Sequence, residues 1–138
     1  MATKVLDSYA LMAFFEDEPG ADQVRNLLLK AEDSELKLLM SVINLGEVWY
    51  AIARASNPET ADRYVNEIQG MSIEIVDADW PLTRQAALFK AAGKIAYADC
   101  FAAALAKAHQ AELITGDKEF KALEGEIKVV WLEKEEKD

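Results

Sequence analysis

The sequence Lys4-Val5-Leu6-Asp7-Ser8 joins a short apolar run to an acidic residue, and the residues that follow, 8–15, have the pattern of a helix. We interpret the apolar run as a buried β-strand. Predicted strands and helices alternate along the rest of the chain. Further strands are predicted at residues 38–42, 72–76, 112–115 and 127–132, and further helices at residues 21–31, 44–55, 58–70, 79–92, 97–109 and 117–123.

This alternation favours an α/β fold, in which a parallel sheet of five strands is covered by helices on both faces. The length of 138 residues suggests one domain. We expect that domain to span residues 1–132, and residues 133–138 to form a charged, solvated tail.

Composition excludes several classes of protein. The chain contains one cysteine, Cys100, and one histidine, His109, so neither an internal disulfide nor a Cys/His zinc cluster is expected. No secretory pattern precedes Asp7, and no uncharged stretch is long enough to span a bilayer. These features predict a soluble protein of the reducing cytoplasm.

Four acidic residues are predicted at the same end of the sheet. Asp7 and Asp117 each follow a predicted strand, whereas Glu47 and Asp99 are predicted near the beginning of helices. In parallel α/β sheets, functional sites form beyond the carboxyl ends of the strands. We therefore predict that Asp7, Glu47, Asp99 and Asp117 converge.

Each acid also has a structural explanation. Asp7 and Asp117 could cap the helices that follow them, and Glu47 could form a capping box with Asn44. Asp99 could lie where it does because a negative charge is favourable near a helix N-terminus. Helix capping alone does not predict that all four side chains meet at one point.

Convergence of the acids would have a chemical consequence. Carboxylates that lie close together raise one another's pKa, and a divalent cation would offset their repulsion. Mg²⁺ and Mn²⁺ prefer carboxylate oxygen and water as ligands. Such an ion can activate water and neutralise charge on a phosphodiester, so no serine, cysteine or histidine nucleophile is required.

Four segments resemble the motifs of the PIN-domain family, and the chain length is typical of its VapC-type toxins. A strand that ends in Asp and is followed by Ser appears in Val5-Leu6-Asp7-Ser8, and a hydroxyl residue followed by Glu on a helix appears in Ser41–Glu47. Tyr97–Ala104 resembles the motif in which Asp opens an alanine-rich helix, and Leu113–Phe120 resembles the strand followed by Thr-x-Asp.

The resemblance implies an endoribonuclease that uses Mg²⁺ or Mn²⁺, that forms a homodimer and that has an antitoxin protein as a partner. It implies a five-stranded parallel sheet, and it assigns metal-site roles to Asp7, Asp99 and Asp117, with Glu119 as a secondary ligand. Glu47 is implied as a fourth catalytic acid. Ser8 and Thr115 match supporting hydroxyl positions.

The net charge of −10 opposes binding to RNA, because proteins that bind a phosphate backbone usually present basic surface. A local basic rim could compensate, and its candidates are Arg54, Lys94, Lys118 and Lys121. An ordinary solvated surface explains these residues equally well.

Two other functional classes remain open at this point. The chain could be a catalytically idle module that binds a partner protein through an apolar groove and an acidic surface. It could also be a metal-dependent DNA nuclease or phosphatase on a similar scaffold. Metal binding separates the first class from a nuclease, and substrate assays separate the second.

Overall fold

The computed structural model describes residues 1–134, and it confirms the predicted α/β fold. The five strands are β1 (Ala2–Leu6), β2 (Leu36–Ser41), β3 (Ile73–Val76), β4 (Glu112–Thr115) and β5 (Val129–Trp131). The helices are α1 (Ser8–Phe15), α2 (Ala21–Glu32), α3 (Val42–Ala55), α4 (Pro58–Gln69), α5 (Trp80–Ala92), α6 (Tyr97–Ala108) and a 3₁₀ helix, Lys118–Leu123.

The sheet has the strand order β3-β2-β1-β4-β5, and every pair of neighbouring strands is parallel. All carboxyl ends of the strands therefore lie at one edge of the sheet. β1 occupies the centre, where Val5 pairs with Leu39 of β2 on one side and with Leu113 of β4 on the other. The residues that follow β1 and β4 are consequently neighbours in space, although they are far apart in sequence.

Successive side chains of a strand point to opposite faces of the sheet, and the core is divided accordingly. Val5 packs in a cluster with α5, α6 and the 3₁₀ helix, whereas Leu6 packs in a second cluster with α1, α2, α3 and α4. Both side chains are fully buried. The alanine residues of α6 are also buried, because their small side chains allow the helix to pack closely against its neighbours.

Several element boundaries differ from the sequence prediction. The predicted strand at residues 38–42 ends at Ser41, and α3 begins at Val42 rather than at Asn44. The Ser41 hydroxyl caps α3, since its oxygen accepts a hydrogen bond of 3.2 Å from the backbone N–H of Ile43. β5 is shorter than the predicted strand at residues 127–132, and the helix predicted at residues 97–109 ends at Ala108.

The predicted domain, residues 1–132, lies within the described part of the chain, whereas residues 135–138 of the predicted tail lie outside it. Across residues 1–134, no helix combines the length and the apolar character that crossing a bilayer requires.

Candidate functional site

Asp7 follows the central strand directly and is buried, with 1% of its surface exposed. It caps α1, because its Oδ1 accepts a hydrogen bond of 2.9 Å from the backbone N–H of Ala10. Its Oδ2 accepts a hydrogen bond from the Thr115 hydroxyl at the end of β4. The capping interpretation of Asp7 is therefore confirmed, and the same carboxylate also connects β1 to β4.

Asp117 lies two residues beyond β4 and caps the 3₁₀ helix. Its Oδ1 accepts a hydrogen bond of 3.0 Å from the backbone N–H of Glu119. Its own backbone N–H donates to the hydroxyl oxygen of Thr115 at 3.0 Å. The buried Thr115 hydroxyl thus connects the Asp7 carboxylate to the backbone of Asp117, which fixes the two acids relative to each other.

Asp99 lies in the first turn of α6, and this end of the helix lies at the same edge of the sheet. Only 7% of its surface is exposed. One carboxylate oxygen from each of Asp99, Asp117 and Glu119 lies within 4.8 Å of the others. Three carboxylate oxygens at these separations form a group that could hold a metal ion.

Glu47 lies in the second turn of α3, two residues further into the helix than the sequence predicts. Its Oε1 accepts a hydrogen bond of 3.0 Å from the Ser8 hydroxyl and one of 2.8 Å from the Asn44 side-chain amide. The capping-box interpretation is wrong, because Ser41 is the N-cap and Asn44 lies inside the helix. The bond to Ser8 brings Glu47 beside Asp7.

The environment of Asp7 favours its neutral form. Burial and, to a smaller extent, the negative charges of Asp117 and Glu47 raise the pKa of Asp7 to about 7. The hydrogen bonds from Thr115 and Ala10 oppose this shift, since they stabilise the carboxylate. A carboxyl group of this kind carries a free-energy penalty when it ionises in the absence of a cation.

Asp99 has a similar environment. The pKa of Asp99 is raised to about 8, chiefly by burial and next by its hydrogen bond to Glu119. The charges of Asp117, Glu47 and Asp7 make smaller contributions to the same shift, in that order. All four acids predicted from the sequence therefore interact electrostatically, which helix capping alone does not explain.

The chemistry of this cluster suits a hard divalent cation. Within residues 1–134, the salt bridges involve other acidic residues, so no lysine or arginine neutralises the acids of the cluster at salt-bridge distance. The donor atoms are carboxylate oxygens, the ligands that Mg²⁺ and Mn²⁺ prefer.

The candidate basic residues lie at different distances from the acids. Lys118 follows Asp117 directly, and Lys121 lies one turn further along the 3₁₀ helix; both are exposed. Lys94 is exposed in the loop before α6. Arg54 lies in the last turn of α3, where its guanidinium is 5.0 Å from the centroid of the Tyr50 ring, and it is therefore remote from the N-terminal half of that helix.

The sequence did not single out three further residues at this edge as parts of the site. The ring of Tyr9 packs against Gly116, so closely that a Cβ atom at Gly116 would lie 2.2 Å from Tyr9 Cε1. Asn44 is fully buried, and its side chain bonds both to Glu47 and to the carbonyl of Ala98. In the sequence, the position of Gly116 between Thr115 and Asp117 is the only indication of the first contact. The position of Asn44 one turn before Glu47 is a similarly weak indication of the second.

The raised pKa values of Asp7 and Asp99 predict how stability depends on pH. In each case the folded protein binds the proton more tightly than the unfolded chain, whose carboxyl groups have a pKa near 3.8. The stabilising contribution is complete below that value and is lost as the pH rises through about 7 and 8. We expect the melting temperature of the metal-free protein to fall by roughly 5–10 °C between pH 5 and pH 8.

Thermal unfolding in the presence of chelator measures this dependence. Asp7→Asn should make it shallower, because the variant removes one of the two titrating groups. Asp33→Asn removes the same charge from an exposed residue before β2, at the opposite edge of the sheet, and should leave the slope unchanged. A melting temperature that rises over this pH range would contradict the electrostatic description.

The sequence of this chain is similar to that of a known family, and its fold is similar to those of known proteins. A sequence model of the PIN domain matches residues 4–126. No curated protein matches the sequence. VapBC2 from Rickettsia felis, bound to a DNA fragment from its promoter, is similar with 20% identity over 95% of this chain and 99% of that chain, at a TM-score of 0.72.

Two further solved structures have the same fold. DNA-bound VapBC from Salmonella typhimurium is similar with 18% identity over 94% of this chain and 98% of that chain, at a TM-score of 0.73. VapC20 from Mycobacterium tuberculosis, described as a sarcin–ricin loop cleaving toxin, is 16% identical over 86% of this chain and 93% of that chain, with a TM-score of 0.62. The match to the family spans all four segments that carry the converging acids, and the chain therefore belongs to the PIN domain family.

Proposed function

We propose that this protein is an endoribonuclease that depends on Mg²⁺ or Mn²⁺. The observation that carries the proposal is the group of carboxylate oxygens from Asp99, Asp117 and Glu119, which lie within 4.8 Å of one another. Two further acids, Asp7 and Glu47, act electrostatically on Asp99. Because no lysine or arginine among residues 1–134 forms a salt bridge with these acids, a divalent cation would relieve their mutual repulsion.

The residues have separate roles in this proposal. Asp7, Asp99 and Asp117 hold the ion, and Glu119 contributes a ligand from the exposed side. Ser8 orients Glu47, and Thr115 orients Asp7, through the hydrogen bonds described above. Glu47 completes the set of catalytic acids.

A bound Mg²⁺ or Mn²⁺ would activate the attacking water and neutralise negative charge that develops on the phosphodiester. The water oxygen forms the new bond to phosphorus, and the bond from phosphorus to the 3′ oxygen breaks. One product therefore carries a 5′-phosphate and the other a 3′-hydroxyl.

RNA is the proposed substrate because a structural relative, VapC20, is described as a toxin that cleaves the sarcin–ricin loop. Lys94, Lys118 and Lys121, which flank the segments that carry Asp99 and Asp117 in the sequence, would supply basic contacts to RNA, and Arg54 a more remote one. The net charge of −10 predicts that RNA binding is weak. The part of the affinity that the basic contacts to phosphate supply should fall steeply as salt is added. An RNA substrate and a lone, buried cysteine both suit the reducing cytoplasm.

We also propose a toxin–antitoxin role, which is supported by the similar fold of chains in VapBC structures from two organisms. An apolar groove between α1, α3 and α4, lined by Met12, Phe15, Ile52 and Tyr64, offers space for an antitoxin segment. The acidic charge of the chain would favour a basic partner. We also propose a homodimer, because Trp80, Leu88 and Tyr97 expose large apolar surfaces on α5 and α6.

A substrate assay tests the proposal. Structured ribosomal RNA, single-stranded DNA and p-nitrophenyl phosphate are each incubated with the protein in Mn²⁺, in Mg²⁺ and in chelator. We expect cleavage of RNA alone, in the presence of either ion, with 5′-phosphate ends on the products. RNA that stays intact with both ions would favour the idle binding module, and faster hydrolysis of DNA or of the monoester would favour the other metal-dependent classes.

A further inference from the structure

Asn44 makes the contacts that connect two of the acid-bearing helices. It is the third residue of α3, and none of its surface is exposed. Its Nδ2 donates one hydrogen bond of 2.8 Å to Glu47 Oε1 and another of 3.1 Å to the backbone carbonyl of Ala98. Both amide hydrogens are thereby used, one within α3 and one on α6.

The bond to Ala98 bears directly on Asp99, which is the next residue of α6. Because the carbonyl of Ala98 is held by Asn44, the first turn of α6 is fixed relative to the first two turns of α3. Asp99 and Glu47 belong to different helices and repel each other. Asn44 therefore supplies an attraction between two helix ends whose acidic side chains would otherwise push them apart.

The orientation of the Asn44 amide follows from its partners. Both neighbours, Glu47 Oε1 and the Ala98 carbonyl, are acceptors, so the reverse orientation would place an oxygen against two oxygens. In the observed orientation Oδ1 is buried and accepts no hydrogen bond from the described residues. A buried amide oxygen without a donor costs free energy, and a leucine at this position would avoid that cost.

The side-chain hydrogen bonds to Glu47 involve one of its two carboxylate oxygens. Oε1 accepts both the bond from Asn44 and the bond from Ser8, whereas Oε2 accepts no side-chain hydrogen bond from residues 1–134. Hydrogen bonds to one oxygen fix the plane of a carboxylate and leave its other oxygen available to a ligand. Partners of this kind orient metal-binding side chains, and their loss usually weakens metal binding.

We propose that Asn44 is a positioning residue for the metal site, which holds Glu47 and the Asp99-bearing end of α6 in the arrangement that binds the ion. This inference rests on the proposed function. The role of Asn44 goes beyond the proposed function, because it belongs to a buried, uncharged residue outside the set of acids. The buried, unpartnered Oδ1 is the stability cost of that arrangement.

Calorimetric titration with Mn²⁺ alone, together with thermal unfolding in chelator, tests the proposal. Asn44→Leu keeps the shape of the side chain but removes both donors and the unpartnered oxygen. We expect its dissociation constant for Mn²⁺ to rise about 10–100-fold. We expect its metal-free melting temperature to stay within a few degrees of the wild-type value, or to exceed it.

Ile68→Val is the matched control, because it removes one methyl group from a fully buried side chain of α4. It should lower the melting temperature slightly and leave Mn²⁺ affinity unchanged. If Asn44→Leu fails to fold, Asn44→Ser replaces it; its hydroxyl is too short to connect Glu47 with Ala98, and the same loss of affinity is expected.

The outcomes separate this inference from the proposed function. Wild-type protein that binds no Mn²⁺ would overturn the metal-dependent function. Wild-type protein that binds Mn²⁺, together with an Asn44 variant that folds and binds it within twofold as tightly, would overturn only the role of Asn44.

Discussion

Asp99→Asn is expected to reduce Mn²⁺-dependent cleavage of RNA by about 10³-fold while it stabilises the metal-free protein. The activity falls because a neutral amide replaces a carboxylate at the centre of the cluster. The stability rises because burial and neighbouring charges raise the pKa of Asp99 to about 8, so that its ionised form is unfavourable without a cation. Single-turnover cleavage assays and thermal unfolding at pH 8.5 in chelator measure the two effects.

This opposite response of activity and stability separates a functional acid from a structural one. If an acid only capped a helix or packed against it, its substitution would lower the stability of the protein. The control is Asp33→Asn, which removes the same charge at the opposite edge of the sheet and should change neither quantity appreciably. Asp99→Asn that keeps activity within threefold, or that melts well below the wild-type protein, would contradict the assigned role.

Gly116→Ala is expected to destabilise the protein by about 1–3 kcal/mol and to reduce cleavage by about 10²-fold. The added Cβ would lie 2.2 Å from Cε1 and 2.6 Å from Cζ of the Tyr9 ring, which is closer than atoms can approach. Either the ring or the segment after β4 must move. Movement of that segment displaces Asp117, whose backbone position is fixed through Thr115.

A double-mutant cycle with Tyr9→Ala identifies the cause of the effect. Once the ring is removed, Gly116→Ala should cost little further stability and little further activity, so the two substitutions should be strongly non-additive. Chemical denaturation and single-turnover cleavage of the four proteins provide the measurement. Additive effects would mean that the contact between Tyr9 and Gly116 does not determine the position of Asp117.

The sequence was sufficient to predict the class of fold and the edge at which the acids meet. The reason is that both depend on local patterns. Apolar runs of strand length alternate with helical periodicity, and parallel strands then place Asp7 and Asp117 at one edge. Each of these acids does cap a helix, as its position suggested, and each also belongs to the cluster.

The details that the sequence did not predict depend on contacts between distant segments. α3 begins two residues before the start that the sequence predicts, because Ser41 both ends the strand and caps the helix. The bond from Asn44 to Ala98 and the contact of Tyr9 with Gly116 connect residues from different elements. No local pattern encodes how closely those elements approach one another.

We propose that the acids at this edge of the sheet together bind a divalent cation. Anomalous diffraction from crystals soaked in Mn²⁺ tests this binding most directly. We predict a Mn²⁺ peak about 2 Å from carboxylate oxygens of both Asp99 and Asp117. The absence of a peak at this edge of the sheet at saturating Mn²⁺, with the two carboxylates turned away from each other, would contradict the account.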